Sequence, residues 1–287
     1  MTPWTQPLRI LHLSDTHLFG DDTLHHGIVD TTAALQRVLA QADTLEDLDL
    51  VVVTGDLSED GSVGSYRKLV ALIEPFAARH GARAFYVMGN HDDRAAFEQL
   101  VGPRDGTDVV RGFGIVRLDS SVPGFGYGEV NPDKLDRLVE SLMFSQADQG
   151  TVVLVHHPPI PASTHLLASL ELQYPQLLLD ICAAGGVRLV LCGHYHHPLT
   201  TLARGVTVSV GPAVAETCDV TVRRGRHRSV VGSACALVEI PAVGQGDPRV
   251  TVINAPSERD GEIVFEFDEA QVAAIAAQAG PPGENAA

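Results

Sequence analysis

The chain has 287 residues, 45% of them hydrophobic and 20% charged, enough apolar material for one large buried core or two small ones. Twenty basic residues stand against 36 acidic ones, a formal net charge of −16. That balance argues against a nucleic-acid-binding protein, which needs clustered Lys and Arg to replace counterions along a phosphate backbone.

In chain order, "LRILHL" (Leu8–Leu13) reads as a short strand, followed by the polar loop "SDTHLFGDDTLHHG". Val29–Ala42 has helical spacing, with capping residues near its start in "VDTTAAL". "LDLVVVTGD" is a β-branched run ending in Gly-Asp, a buried strand meeting a loop. Val63–His80 reads as a helix that Pro75 should kink or divide. Ala82–Met88 is the next strand, and it stops at "GNHDDR". A strand over Ile115–Leu118 leads to the Gly-rich loop "DSSVPGFGYGEV". Pro132–Phe144 is expected to be a helix capped by Asn131. Thr151–Val155 is a strand ending in "HHPPIP", Leu177–Ala184 is helical, and "GGVRLVLCGHYHHP" is a strand ending in histidines.

Beyond Thr200 the runs Val206–Val210, Ser233–Ile240, Arg249–Ile253 and Glu262–Phe267 read as antiparallel strands. The basic cluster "RRGRHR" (Arg223 to Arg228) reads as an exposed hairpin tip. The tail from Gly280, "GPPGENAA", is expected to lack fixed structure, leaving residues 1–279 as one α/β domain. Cys182, Cys192, Cys218 and Cys235 show neither CxxC pairing nor disulfide-dense spacing. No apolar run approaches the length of a membrane span, and "MTPWTQPLRIL" lacks the pattern of a signal peptide. The expectation is a soluble cytoplasmic protein.

Five strands end in the same kind of residue: "SDTH" (Asp15, His17), "TGD" (Asp56), "GNHD" (Asn90, His91), "HHPP" (His156) and "CGHYH" (His194, His196). Taken singly each is weak. Asp-x-His is more often a turn with a chance histidine, and Gly-Asp after a strand is commonly an Asx turn. Their joint occurrence at successive strand exits points to one site. Carboxylate, imidazole and amide oxygen without thiolate suit Mn, Fe or Zn at a reactive centre.

Those motifs resemble the calcineurin-like metallophosphoesterase signature, and they span Asp15 to His196. The longer strings "LHLSDTHL", "VVVTGDLSEDG", "MGNHDDR", "HHPPIP" and "GHYHH" look like the bacterial class III cyclic-nucleotide phosphodiesterase branch, with "SYRKLVALIEPF" and "DSSVPG" similar to its actinobacterial members. The resemblance implies a four-layer αββα sandwich of two packed mixed sheets flanked by helices. It implies two metal ions: one held by Asp15, His17 and His196, the other by Asn90, His156 and His194, with Asp56 bridging both. His91 would face substrate on the leaving-group side, and Asp92 would orient His91 or the loop. The activity implied is metal-dependent hydrolysis of 3′,5′-cyclic nucleotides and other phosphodiesters by a homodimer. Within the superfamily a glycerophosphodiesterase, a phosphoprotein phosphatase or a nuclease are rivals, and a non-catalytic metal-binding scaffold is the reading outside enzymes.

Other histidines stay open. His157 and His197 adjoin ligand positions but point away from them along an extended segment. His12 alternates with Leu11 and Leu13 and is expected to be buried. His25 and His26 are candidates for the rim of a substrate pocket. Phe125 and Tyr127 would either stack on a base or pack their own loop.

Overall fold

A computed structural model describes residues 6–282. The N-terminal stretch and the tail therefore fall partly outside the described residues, at 1–5 and 283–287. Two mixed sheets make the frame. The first runs β15 (Arg249–Asn254), β14 (Ala234–Ile240), β1 (Leu8–Leu13), β2 (Leu50–Thr54), β3 (Arg83–Val87). The second runs β10 (Leu199–Ala203), β11 (Val206–Val210), β9 (Val187–Cys192), β7 (Thr151–Val155), β5 (Phe113–Leu118), β4 (Gly106–Val110). The chain enters β1, β2 and β3 in parallel, and likewise β5, β7, β9 and β11. Their carboxyl ends therefore share one edge, where a parallel sheet carries its ligand loops.

The twofold period of the strands assigns each side chain to a layer. Ile10, Leu50, Val52 and Phe85 point inward and meet Ile115, Val152, Leu154 and Leu189 of the other sheet. The alternate residues Leu11, Leu13, Val51 and Val53 point outward onto α1 (Thr31–Ala42), α2 (Val63–Arg79) and α3 (Arg94–Leu100). Val153, Val155 and Val190 do the same for α4 (Pro132–Met143) and α6 (Pro175–Ala184). Both faces of each sheet are covered, which is why the central strands read as continuous apolar runs and not as alternating ones. The result is the expected four-layer arrangement of helices, two packed mixed sheets and helices.

Smaller elements close the site edge. β12 (Thr217–Cys218), β13 (His227–Val230) and β16 (Ile263–Phe267) form a three-stranded sheet. β6 (Gly128–Glu129) pairs with β8 (Leu172–Gln173), near α5 (His165–Ala168), while α7 (Glu269–Ala279) ends the chain. The N-caps are specific: Asp30 accepts from the Ala33 N–H, Ser62 from Ser65, Asp93 from Ala96 and Asn131 from Lys134.

Three features refine the sequence reading. Of the two outcomes expected at Pro75, division does not occur: α2 continues through it as one helix, because Pro75 falls in its penultimate turn and forfeits a single N–H bond. β4, α3 and α7 are elements that the sequence reading did not anticipate. In the basic cluster, Arg223–Arg226 is a turn closed by the Arg226 N–H on the Arg223 carbonyl (3.0 Å), but His227 begins β13 and is buried.

Candidate metal centre

Three of the five strand exits, after β1, β2 and β9, deliver their polar residues through an unusual backbone. Asp15, His17, Asp56, His194 and His196 all have left-handed φ, between 43° and 69°. For a side-chain-bearing residue this conformation costs roughly 1–2 kcal/mol, so five of them at one edge mark a place where fold stability is spent on geometry. The neighbouring glycines are explained by contact. A Cβ on Gly89 would run into the Asp56 carboxylate, and one on Gly55 into the His156 ring. Gly55 and Gly89 let the loops close onto each other.

The residues gathered there form one array. Asp15, His17, Asp56 and His196 place ligand atoms within 4.8 Å of one another. His17 Nε2 lies 3.2 Å from His196 Nε2, and His196 Nε2 lies 3.6 Å from Asp15 Oδ1. Beside this group, His156 Nε2 is 3.2 Å from Asn90 Oδ1 and 3.3 Å from Asp56 Oδ2. The same Asp56 oxygen is 3.7 Å from His17 Nε2, so Asp56 stands between the two groups. The Asp15 carboxylate accepts the His194 backbone N–H, and Asp56 Oδ1 accepts that of His91 (2.9 Å). Strands far apart in sequence are thereby locked together at the ligands themselves.

What the array needs follows from its hydrogen bonds. His17 Nδ1 sits 2.7 Å from Glu59 Oε2, and His196 Nδ1 sits 3.1 Å from Glu216 Oε1. His156 Nδ1 is 2.7 Å from the Thr54 carbonyl, and His194 Nε2 is 3.0 Å from that of Leu170. Carbonyls and carboxylates only accept, so each of these nitrogens carries its proton and the opposite nitrogen is left as a lone pair. Lone pairs of His17, His196 and His156 then face one another and the oxygens of Asp15, Asp56 and Asn90. Acceptors converging on acceptors demand positive charge. In the metal-free protein protons supply it: burial lowers the imidazoles, but Asp56 and Asp15 outweigh it, raising His156 to about 9 and His196 to about 10. The donor set, imidazole plus hard oxygen, fits divalent ions that favour N and O ligands.

His91 occupies a different place. Its side chain is 41% exposed, and its Nδ1 lies 3.0 Å from Glu59 Oε2. Burial lowers its pKa, but Asp56 and Glu59 outweigh burial and raise it to about 9. Asp92 does not contact the His91 ring. Its carboxylate accepts the N–H groups of Leu57 (3.2 Å), Ser58 (3.0 Å) and Gly89 (2.8 Å) and the Tyr66 hydroxyl (2.9 Å). Of its two expected roles Asp92 has the second, clamping the loops after β2 and β3, and it is not a group that reaches substrate.

The remaining histidines are settled by their partners. His157 lies close enough to His156 and His194 to count with them, yet both its nitrogens are engaged, with Ser120 Oγ (2.8 Å) and the Gly126 carbonyl (3.1 Å). It is a buried support behind His156 and His194, not a ligand. His197 binds the Tyr195 carbonyl and Ser163 Oγ, and His12 binds Thr54 Oγ1. A cavity of about 190 Å³ opens over the array and includes His25 and His26, as the rim reading expects. It does not include Phe125 or Tyr127, whose rings pack 5.2 Å apart in their own loop, pinned by the Gly126 N–H on the Ala279 carbonyl. The aromatic wall is instead Phe265, 4.5 Å from the His26 ring, with His227 beside it. Glu59, Glu216, His227 and Phe265 are the site residues that sequence reasoning missed. Glu59 had a signal, lying three residues after Asp56 in "GDLSED"; the others had none.

Comparison with known proteins agrees with this geometry. The Calcineurin-like phosphoesterase family profile matches residues 8–198. The cAMP/cGMP dual specificity phosphodiesterase of Mycobacterium tuberculosis is 38% identical over 240 residues, covering 80% of this chain and 75% of that protein. A probable cyclic nucleotide phosphodiesterase of Rhodococcus erythropolis is 36% identical over 240 residues, covering 80% of this chain and 79% of the relative. Among solved structures, a dimetal phosphatase from Danio rerio superposes with a TM-score of 0.60 at 11% identity, covering 88% of this chain and 100% of that one, a likeness of fold. With strand exits, donor set and profile in agreement, the chain belongs to the calcineurin-like phosphoesterase family.

Proposed function

We propose that this protein is a metal-dependent phosphodiesterase that hydrolyses 3′,5′-cyclic nucleotides, and other diesters more loosely. The observation that carries the reading is the position of Asp56 Oδ2, 3.3 Å from His156 Nε2 and 3.7 Å from His17 Nε2, between two imidazoles whose other nitrogens are held by acceptors. Asp15, His17 and His196 would hold one ion, Asn90, His156 and His194 the other, with Asp56 placed between the two groups. Bound there, divalent ions such as Mn²⁺ or Fe²⁺ would supply an activated water and positive charge against the phosphoryl oxygens.

The chain's own groups do the rest. Glu59 accepts from His17 Nδ1 and fixes the tautomer that leaves Nε2 free, and Glu216 does the same for His196. His91, held by Glu59 at the cavity mouth and protonated, is placed to give its proton to a departing alkoxide. No Lys or Arg lines the cavity. Apart from the His91 imidazolium, a dianionic monoester would find no fixed side-chain cation to offset its extra charge, whereas a monoanionic diester needs less, and Phe265 offers a face for a nucleobase. Among the described residues no helix is long and apolar enough to cross a membrane. The four buried cysteines are all unpaired, which supports a reducing cytoplasm as the setting. The homodimer implied by the resemblance belongs to this reading and is tested by sedimentation velocity.

The decisive measurement is metal content together with kcat/KM for cAMP, AMP and nitrophenyl mono- and diesters, in the wild type and in Asp56→Ala. The expected result is preference for the diesters, with loss of turnover and metal in the variant. Consistent preference for monoesters would turn the reading to a phosphatase. Wild-type turnover with two ions in Asp56→Ala would remove the shared ligand.

A further inference from the structure

A second cavity, of about 340 Å³, lies against the metal cavity and is framed by the Arg223–Arg226 turn and the segment from Ala162 to Ala168. The two share a wall. Thr164 Oγ1, on the arginine side, is 3.3 Å from Nδ1 of His227, which lines the metal side. Arg224 precedes His227 by three residues, so at most about 11 Å of backbone separates them.

The turn concentrates three guanidinium groups within four residues of a chain whose net charge is −16. Arg226 has a counter-ion, Glu266, at 3.4 Å. Among the described residues no carboxylate stands within 4.0 Å of the Arg223 or Arg224 guanidinium, where exposed arginines such as Arg204 and Arg259 each have one. Arg224 Nε instead donates to His165 Nε2 (2.9 Å), so that histidine nitrogen carries no proton. The contact fixes the Arg224 side chain along the cavity and leaves its terminal N–H groups for another partner. Guanidinium forks of this kind match the oxygens of a phosphate two at a time.

Building on the phosphodiesterase reading, we propose that Arg223 and Arg224 form an anion subsite that takes a second phosphate on the substrate. The chemical class is a linear phosphodiester bearing a terminal phosphomonoester, such as a 5′-phosphorylated dinucleotide. Its internal phosphate lies at the metal array and its terminal phosphate reaches across the Thr164–His227 wall. A cyclic mononucleotide has one phosphate and leaves the subsite idle.

The test compares the metal-loaded enzyme on pApA, on ApA, which lacks the terminal phosphate, and on cAMP and bis(4-nitrophenyl) phosphate, in the wild type and in Arg223→Gln/Arg224→Gln. Two charge-assisted hydrogen bonds predict a roughly ten- to hundredfold preference for pApA over ApA, carried in KM and weakened by salt. The double variant should lose that preference and keep its rates on cAMP and the nitrophenyl diester. Equal kcat/KM for the two dinucleotides in the wild type, or a preference that survives in the variant, overturns the subsite. Absence of turnover on every diester would overturn the phosphodiesterase reading instead. Calorimetric binding of pApA and ApA needs no turnover, so equal affinities there refute the subsite in either case.

Discussion

Replacing Glu216 by glutamine removes one buried negative charge and leaves the shape of the side chain almost unchanged. The wild-type carboxylate is 3% exposed, with Oε1 at 3.1 Å from His196 Nδ1 and 3.6 Å from His25 Nε2. Burial pushes its pKa up, but His196 and His25 outweigh burial and hold it well below the usual carboxylate range, so it is an anion. Its effect on the array is indirect: by accepting from Nδ1–H it keeps the His196 lone pair on Nε2 and makes that nitrogen a stronger donor. Glutamine still offers an oxygen to Nδ1–H but no charge. Loss of an outer partner of this kind lowers metal affinity about 10–100-fold, or roughly 1.4–2.7 kcal/mol. The loss should fall on the ion held by Asp15, His17 and His196, and leave the one at Asn90, His156 and His194 within about threefold, since Glu216 touches no residue of that group. Calorimetric titration of the metal-depleted variant with Mn²⁺ resolves the two steps, and circular dichroism confirms that the variant folds. If both ions weaken equally, or neither changes in a folded variant, Glu216 does not orient His196 and the assignment of ligands to two sites is wrong.

His91→Ala should retain both ions and lose about 10²–10⁴ of the rate on poor leaving groups, with a smaller loss on nitrophenolate, which departs without a proton; an equal loss on both, read from steady-state kinetics, would assign His91 to phosphate binding. His12 is one of several buried histidines that set acid stability, with His25 and His157 also lowered to about 3 and His227 to about 4. Burial lowers His12 to about 3, whereas the unfolded chain takes up the proton near 6.5, so stability falls as pH drops through 6.5 and by pH 5 has lost about 2 kcal/mol to this group. His156 and His196, raised to about 9 and about 10, stay charged in the fold across this range and add an opposite slope near pH 6.5 that is the same in the wild type and the variant. In urea melts of the metal-free protein, His12→Asn should flatten the pH dependence between 7 and 5 by about one proton; an unchanged slope would show that His12 is already charged in the fold.

The parts of the molecule that the sequence made legible are those where chemistry follows a strand directly. "LVVVT" is fully buried, and Asp56 comes two residues after it. The same adjacency made Asn90, His156 and His194 visible, because a polar residue that halts an apolar run needs a reason. Glu216 and His227 escaped because their positions depend on pairings no local pattern encodes. The loop before Glu216 is fixed by the Val214 and Ala215 N–H groups on the carbonyls of Ser14 and Asp15, some 200 residues earlier. Phe125 and Tyr127 follow the loop-packing alternative, and what turns their loop from the cavity is Ala279, in a helix the sequence reading did not expect. Pro75 does not divide its helix, since a proline near a helix end removes one bond and the rest of the turn can hold.

The backbone of the ligands was invisible for another reason. Asp and His visit the left-handed region several times more often than most residues, but still rarely, so no sequence rule would have put five of them there at once. Their strain exceeds what turns require, because Gly or Asn at those positions would make the same turns at lower cost. A chain that keeps Asp15, His17, Asp56, His194 and His196 at φ between 43° and 69° therefore needs those particular side chains. What it needs them for is visible only where the five loops meet: His17 and His196 are 179 residues apart in sequence and 3.2 Å apart in space, each presenting an acceptor to the other. A purely structural turn would not bring two imidazole acceptors together, whereas a cation between them would satisfy both.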